Sequence, residues 1–147
     1  MEILNEVNIV MDAKSENESF ARMVAAGFIA RLDPTLAELN EVKTAVSEAV
    51  TNAVIHGYDS ENLGKISLKL TLDSDNTVTI IISDNGKGIS NIEEAMQPLY
   101  TSKPEMERSG MGFTVMEMFM DSTDVSSEKG LGTTITMTKK LRASGDE

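Results

Sequence analysis

Apolar residues alternate at the start of the chain, where Ile3, Val7, Ile9 and Met11 of "EILNEVNIVM" mark a strand. The period then lengthens. Phe20, Met23, Val24, Gly27, Phe28 and Leu32 recur at helical spacing behind Ser15 and Glu18, an S-x-x-E capping box. Asp33-Pro34 restarts a helix, with the aspartate as N-cap and the proline in the first turn. Leu36, Leu39, Val42, Val46, Ala49, Val50, Ala53 and Val54 carry this second helix to His56-Gly57, where Gly57 is a credible C-cap. After the turn-rich "GYDSENLGK" the alternation returns. "KISLKLTL" puts Ile66, Leu68, Leu70 and Leu72 on one face, "DSDN" turns, and "TVTIIIS" comes back with Val78, Ile80 and Ile82. "GFTVMEMFM" reads as a helix, "STDVSSE" as a short strand and "GTTITMTKKL" as a last strand with a threonine-rich outer face.

The order β-α-α-β-β-loop-α-β-β predicts an α+β fold, a two-layer sandwich with helices on one face of a mixed, mainly antiparallel sheet. Strands and helices do not alternate strictly, which argues against a doubly wound parallel sheet. Residues 1–141 form a single domain in this reading, and 142–147 a frayed tail. Between Ser90 and Met111 the pattern weakens, although Pro98, Pro104 and "KPEMER" fall there. So long a weakly patterned segment in a domain of this size is more often functional than accidental, and it reads as a lid.

Composition narrows the function classes. A chain of 147 residues, 40% hydrophobic and 25% charged, can bury a proper core. No apolar run reaches the length of a membrane span, and the acidic, alternating N-terminus is unlike a signal peptide. The absence of cysteine leaves no disulfide framework and fits a cytoplasmic protein. The net charge of −11, from 24 acids and 13 bases, argues against direct nucleic-acid binding and suits a basic protein partner. Any phosphate bound here would need a divalent cation and backbone N–H groups to work against that field.

Four stretches carry candidate chemistry. In "EAVTNAVIHGY", Glu48 and Asn52 stand at i and i+4 on one face of the second helix, at the edge of its apolar stripe. An amide oxygen suits Mg²⁺, and a carboxylate beside such a metal could accept the proton of an attacking hydroxyl. His56, one turn further, could in principle carry a phosphoryl group, although a helix-end histidine is usually only polar surface. "DNGKG" follows an apolar strand directly. Asp84 at that strand end could accept a hydrogen bond from the exocyclic amine of adenine and would repel the carbonyl of guanine, while Gly86 and Gly88 let a ligand approach the main chain. Alone, the stretch is more commonly a tight turn. "SGMGF" sets Gly110 and Gly112 where the lid gives way to a helix, so that free N–H groups could meet phosphate. A hinge would explain it equally well, and it is neither a dinucleotide fingerprint nor a P-loop. "EKGLGTT" brings Gly130, Gly132 and Thr133 to a strand entry, where a glycine-containing hairpin loop is the simpler reading.

Their order is more specific than any one piece. A helix with E-x-x-x-N, a strand ending in D-x-G-x-G, a lid, a helix opened by G-x-G and a strand entered by G-x-G-T together resemble the Bergerat-type ATP-binding fold of gyrase, the Hsp90 chaperones and histidine kinases. The resemblance implies ATP or ADP as ligand, Asn52 as the Mg²⁺ ligand and Glu48 as general base. It implies Asp84 as the adenine carboxylate, with Gly86, Gly88, Gly110 and Gly112 as backbone contacts and Thr133 supporting the adenine side.

Across nearly the whole chain, "SENESFAR", "LDPT", "EAVTNAVIHGY", "YTSKPEMERSGMGF" and "MEMFMD" are similar to the sporulation anti-sigma-F family. Its sister family, the stress-response anti-sigma-B kinases, shares the ATP boxes. The likeness implies a homodimeric anti-sigma factor that is also a serine kinase: with ATP bound it holds a sigma factor inactive, and it phosphorylates a small anti-anti-sigma (STAS-type) protein. It further implies that Arg22 contacts these partners and that the first strand and helix form the dimer region. Arg108, ahead of "SGMGF", is the candidate contact to the terminal phosphate or incoming substrate, a role weighed evenly against that of a solvated lid charge. For Lys103 the solvated charge is the stronger reading. The alternative from another class is a nucleotide-gated binding module without phosphoryl transfer. The presence of Glu48 tilts against it, since a binder would need only Asn52 and the adenine pocket.

Overall fold

Large aliphatic side chains on alternate positions of three strands build the centre of the molecule. The computed structural model describes residues 2–57, 64–84, 112–128 and 132–142. Its elements are β1 (Ile3–Asp12), α1 (Asn17–Ile29), α2 (Leu36–Asn52), β2 (Lys65–Asp73), β3 (Thr77–Asp84), α3 (Gly112–Phe119), β4 (Ser122–Glu128) and β5 (Gly132–Lys140). The five strands form one sheet in the order β1-β2-β3-β5-β4, and every described pairing is antiparallel. The predicted α+β sandwich is therefore correct, without the parallel component that a mixed sheet would have.

Register puts the apolar sets on one face. Leu68 lies opposite Ile9 on one side and Ile82 on the other, and Ile82 lies opposite Ile135. Because the side-chain period is two, Ile66, Leu68, Leu70 and Leu72 join Val78, Ile80, Ile82, Ile135 and Met137 in a single buried layer. The hairpin between β2 and β3 is set by Asp73, whose buried carboxylate accepts from the Asp75 and Thr77 amides at 2.8 and 3.1 Å.

The helices cover this layer, with α2 packed between α1 and α3. Ala45 and Ala49 are buried along α2 together with Val42, Val46 and Val50, and Ala53 is buried just past its end; such small residues let neighbouring backbones come close. On α1 the core face is Ala21, Ala25, Phe28 and Ile29. Phe20 and Met23, which the helical pattern assigned to the apolar stripe, are exposed.

Three local expectations are corrected. Ser15 and Glu18 form no side-chain capping box: only the Glu18 amide meets the Ser15 carbonyl, and the Glu18 carboxylate instead accepts from Ser47 Oγ on α2. The cap of α2 is Thr35 rather than Asp33. Thr35 Oγ1 accepts from the Glu38 amide at 3.1 Å, and Glu38 Oε1 accepts from the Thr35 amide at 2.9 Å. Asp33 ends the preceding 3₁₀ turn (Ala30–Leu32) in a left-handed conformation, φ 50°, one of the few non-glycine residue types that tolerate it. Finally, α2 stops as an α-helix at Asn52 and continues as a π-helical turn, Ala53–Gly57.

Glu38 joins distant parts of the chain, because its second oxygen accepts from the Arg142 amide at 2.9 Å beyond the end of β5. Burial works to raise its carboxyl pKa. The Arg142 and Thr35 donors and the charge of Lys139 outweigh that effect and hold it below the ordinary glutamate value. A depressed folded pKa stabilises the fold fully above the ordinary value, and the contribution is lost as pH falls through the folded one. Glu38→Ala should cost about 1–3 kcal/mol at neutral pH. Urea titrations should show the gap to the native chain narrowing as pH falls below the ordinary glutamate value of 4.5; a gap independent of pH would contradict this reading.

Candidate functional site

Asp84 closes β3 on the buried face of the sheet, two residues beyond Ile82, and is itself buried at 7% exposure. A carboxylate in such surroundings requires partners, and Asp84 makes an interaction within the protein. Its register neighbours are Ile66 on β2 and Thr133 on β5. Asp84 and Thr133, 49 positions apart in the chain, are thus directly opposed across two strands and buried on the same face.

Hydroxyls extend the buried side of this pair: Thr133 Oγ1 and Ser127 Oγ share a hydrogen bond at 2.8 Å, and Ser127 Oγ donates to the Gly132 carbonyl at 3.1 Å. On the opposite face of the same two strands Ser83 and Thr134 join side chains at 3.2 Å. Ser127 and Ser83 were not singled out from the sequence. For Ser127 the serine and threonine density of "STDVSSEKGLGTT" was the available signal. Gly132 has φ 103°, a left-handed geometry that glycine adopts without strain, at the point where β5 begins.

Glu48 and Asn52 are both half-buried on α2, at the rim of the face formed by Val46, Ala49 and Val50. That is where the i, i+4 spacing predicted them. Glu48 also has an interaction within the protein. Directly after Asn52 the helix widens into the π turn, which packs against both β3 and β5 with Ala53 and Ile55 buried. Such turns interrupt α-helices at functional positions more often than elsewhere. The chain then re-enters the sheet at Lys65, next to Ile66, the residue opposite Asp84.

Gly112, the second glycine of "SGMGF", is buried and is the first described residue of α3. Gly86, Gly88, Lys103, Arg108 and Gly110, and with them the predicted lid, lie outside the described residues, as does the His56 side chain. Arg22 is half-exposed on α1. It pairs with Glu18 at 3.8 Å and donates to Ser19 Oγ at 3.5 Å, and Phe20 and Met23 on the same helix are exposed.

Among the described residues no three His, Asp or Glu side chains cluster as a metal cage. The Asn52 amide oxygen is a ligand type that suits Mg²⁺, an ion that usually keeps several waters and binds substrate phosphates. No helix among the described residues is long and apolar enough to cross a membrane.

Residues 11–139 match the family of histidine kinase-like ATPase domains. The anti-sigma F factor of Clostridium beijerinckii is 57% identical over 137 residues, spanning 93% of this chain and 95% of that protein. The anti-sigma F factor of Bacillus subtilis is 56% identical over 140 residues, 95% of each. Among solved structures, the RsbU and RsbW domains of a Mycobacterium tuberculosis protein superpose with a TM-score of 0.68 over 95% of this chain and 32% of that one, at 22% identity. A mycobacterial sensor histidine kinase superposes at 0.58 over 93% and 99%, at 16% identity. These two structural likenesses concern the fold.

Proposed function

This chain belongs to the anti-sigma F factor family and carries its histidine kinase-like ATPase domain, and from that membership we propose that it is an ATP-dependent anti-sigma factor and serine kinase. With ATP bound it holds a sigma factor inactive. It transfers the γ-phosphoryl group to a seryl hydroxyl of an anti-anti-sigma protein of the STAS type. The observation that best supports a nucleotide site is the buried Asp84–Thr133 pair across β3 and β5, the two strands against which the turn that follows the Glu48 and Asn52 helix packs.

In this reading Asp84 accepts the adenine amine and Thr133 supports the same edge of the base, directly or through water. Asn52 supplies an amide oxygen to Mg²⁺, which when bound would neutralise charge on the phosphates. The α3 N-terminus at Gly112, with Gly86, Gly88 and Gly110, offers backbone N–H groups. Glu48 takes the proton of the seryl hydroxyl as its oxygen bonds to the γ-phosphorus, and the bond to the ADP oxygen breaks. Arg108 meets the terminal phosphate or the incoming serine. Arg22 contacts the partners.

Self-association through β1 and α1 is part of the proposal. Of the seven large apolar side chains exposed among the described residues, five lie there: Ile3, Leu4, Val10, Phe20 and Met23. β1 is also an edge strand of the sheet, and its exposed apolar residues are the kind that mark an interaction surface.

Binding of a purified sporulation sigma factor should require ATP and Mg²⁺. Asn52→Ala should weaken that capture at least about tenfold through lost nucleotide, as one metal-directed contact is worth about 1.5–3 kcal/mol. Capture of equal strength without nucleotide would reject the gating.

A further inference from the structure

Lys139 is a cation largely shut off from water, with 12% of its side chain exposed, near the end of β5. Its ammonium donates to the carbonyl of Phe119, the last residue of α3, at 2.8 Å, and lies 3.6 Å from Glu41 Oε1 on α2. One side chain thus closes the unsatisfied C-terminal end of α3 and fixes α2 against it. The beginning of α2 is bound to the same stretch of chain, since Glu38 receives the Arg142 amide.

The position of this clamp relative to the proposed site follows from the helices. Glu48 is seven residues beyond Glu41 on α2, and Gly112 is seven residues before Phe119 on α3. Both distances are two turns, or roughly 10 Å. The two helices pack on one another and leave the clamp toward opposite chain ends, so each carries its proposed ligand contacts at about the same reach. An error at the clamp is therefore carried to the separation between Glu48 and Asn52 on one side and the α3 N-terminus on the other. A misplacement of about 1 Å at reacting groups can cost about 100-fold.

We infer that Lys139 is a positioning residue: by tying the Phe119 carbonyl to Glu41 it sets the spacing at which α2 and α3 hold the nucleotide's phosphates. The inference rests on the ATP-kinase reading above. The adenine side, Asp84 and Thr133, stands on β3 and the start of β5 and does not depend on that spacing.

The test compares ATP with adenosine, each titrated into the full chain by NMR at a temperature where circular dichroism shows every variant folded. Lys139→Met should weaken ATP about tenfold while adenosine binding changes less than about twofold, and phosphoryl transfer should fall further. Lys139→Arg, which keeps the charge and a donor, should restore most of the ATP affinity. Glu41→Gln, on a partly exposed residue, should lower the ATP-to-adenosine ratio about threefold in the same direction, and it decides the matter if Lys139→Met does not fold. A native ATP-to-adenosine ratio in the folded variants, even with a lower melting temperature, would make Lys139 a structural lysine and overturn the inference. A native chain that binds no ATP would instead overturn the kinase reading, and the inference with it.

Discussion

Glu48→Gln should reduce phosphoryl transfer about 100- to 10,000-fold while ATP affinity stays within about twofold, the signature of a lost general base. Glutamine has nearly the same shape and helix propensity, so α2 and its buried valine and alanine face should persist. What changes is the ability to receive a proton. Glu48 sits on the half-buried rim of α2 one turn before Asn52. Sigma-factor capture in ATP should therefore survive in the variant, because in the proposed function capture needs bound nucleotide and not its transfer. Single-turnover transfer of labelled phosphate, with calorimetric ATP binding alongside, separates the outcomes. Transfer within tenfold of native would give Glu48 a structural role, fixed by its interaction within the fold.

Asp84→Asn should weaken ATP by about 10- to 150-fold and remove most of the preference for ATP over GTP. The side chain is buried and cross-paired with Thr133, so asparagine fits the same space. It offers a neutral carbonyl in place of a carboxylate, and charge-assisted hydrogen bonds are the stronger kind. Its amide can also rotate to donate, which guanine's carbonyl would accept. Parallel titrations with ATP and GTP measure both effects. Unchanged affinity and selectivity would leave Asp84 as a strand-end carboxylate that serves the sheet alone.

How far the sequence was legible depends on the range of the interactions involved. The strict alternation of Ile66 to Leu72 and of Val78 to Ile82 is a local signal, and both strands lie where it places them. The i, i+4 spacing likewise put Glu48 and Asn52 on one half-buried rim. Capping was misread where two signatures overlapped. Asp33-Pro34 and Thr35-x-x-Glu38 are both helix-start signatures, and the second, which forms, is reinforced by Arg142, 104 positions away from Glu38. Ser15 lost Glu18 for a similar reason, since Ser47 of α2 takes the carboxylate. The face of α1 was misassigned because alanines at 21 and 25, weak in any hydropathy pattern, fill the close approach to α2, while the larger Phe20 and Met23 face outward. Motif order brought Asp84 and Thr133 into the same proposed pocket. Their opposition in register is a property of sheet pairing, which one strand's sequence does not contain. Nor does local sequence announce the π turn after Asn52, whose Ala53 and Ile55 pack into the core beside β3 and β5.

The most direct measurement is to give the native chain ATP labelled on the γ-phosphate, Mg²⁺ and a purified STAS-type anti-anti-sigma protein, and then to locate the label by mass spectrometry. The account predicts phosphoserine on the acceptor protein, formed together with ADP. ATP bound but intact, or label released only as free phosphate, would contradict it and leave a nucleotide-gated clamp or a slow ATPase in place of a kinase.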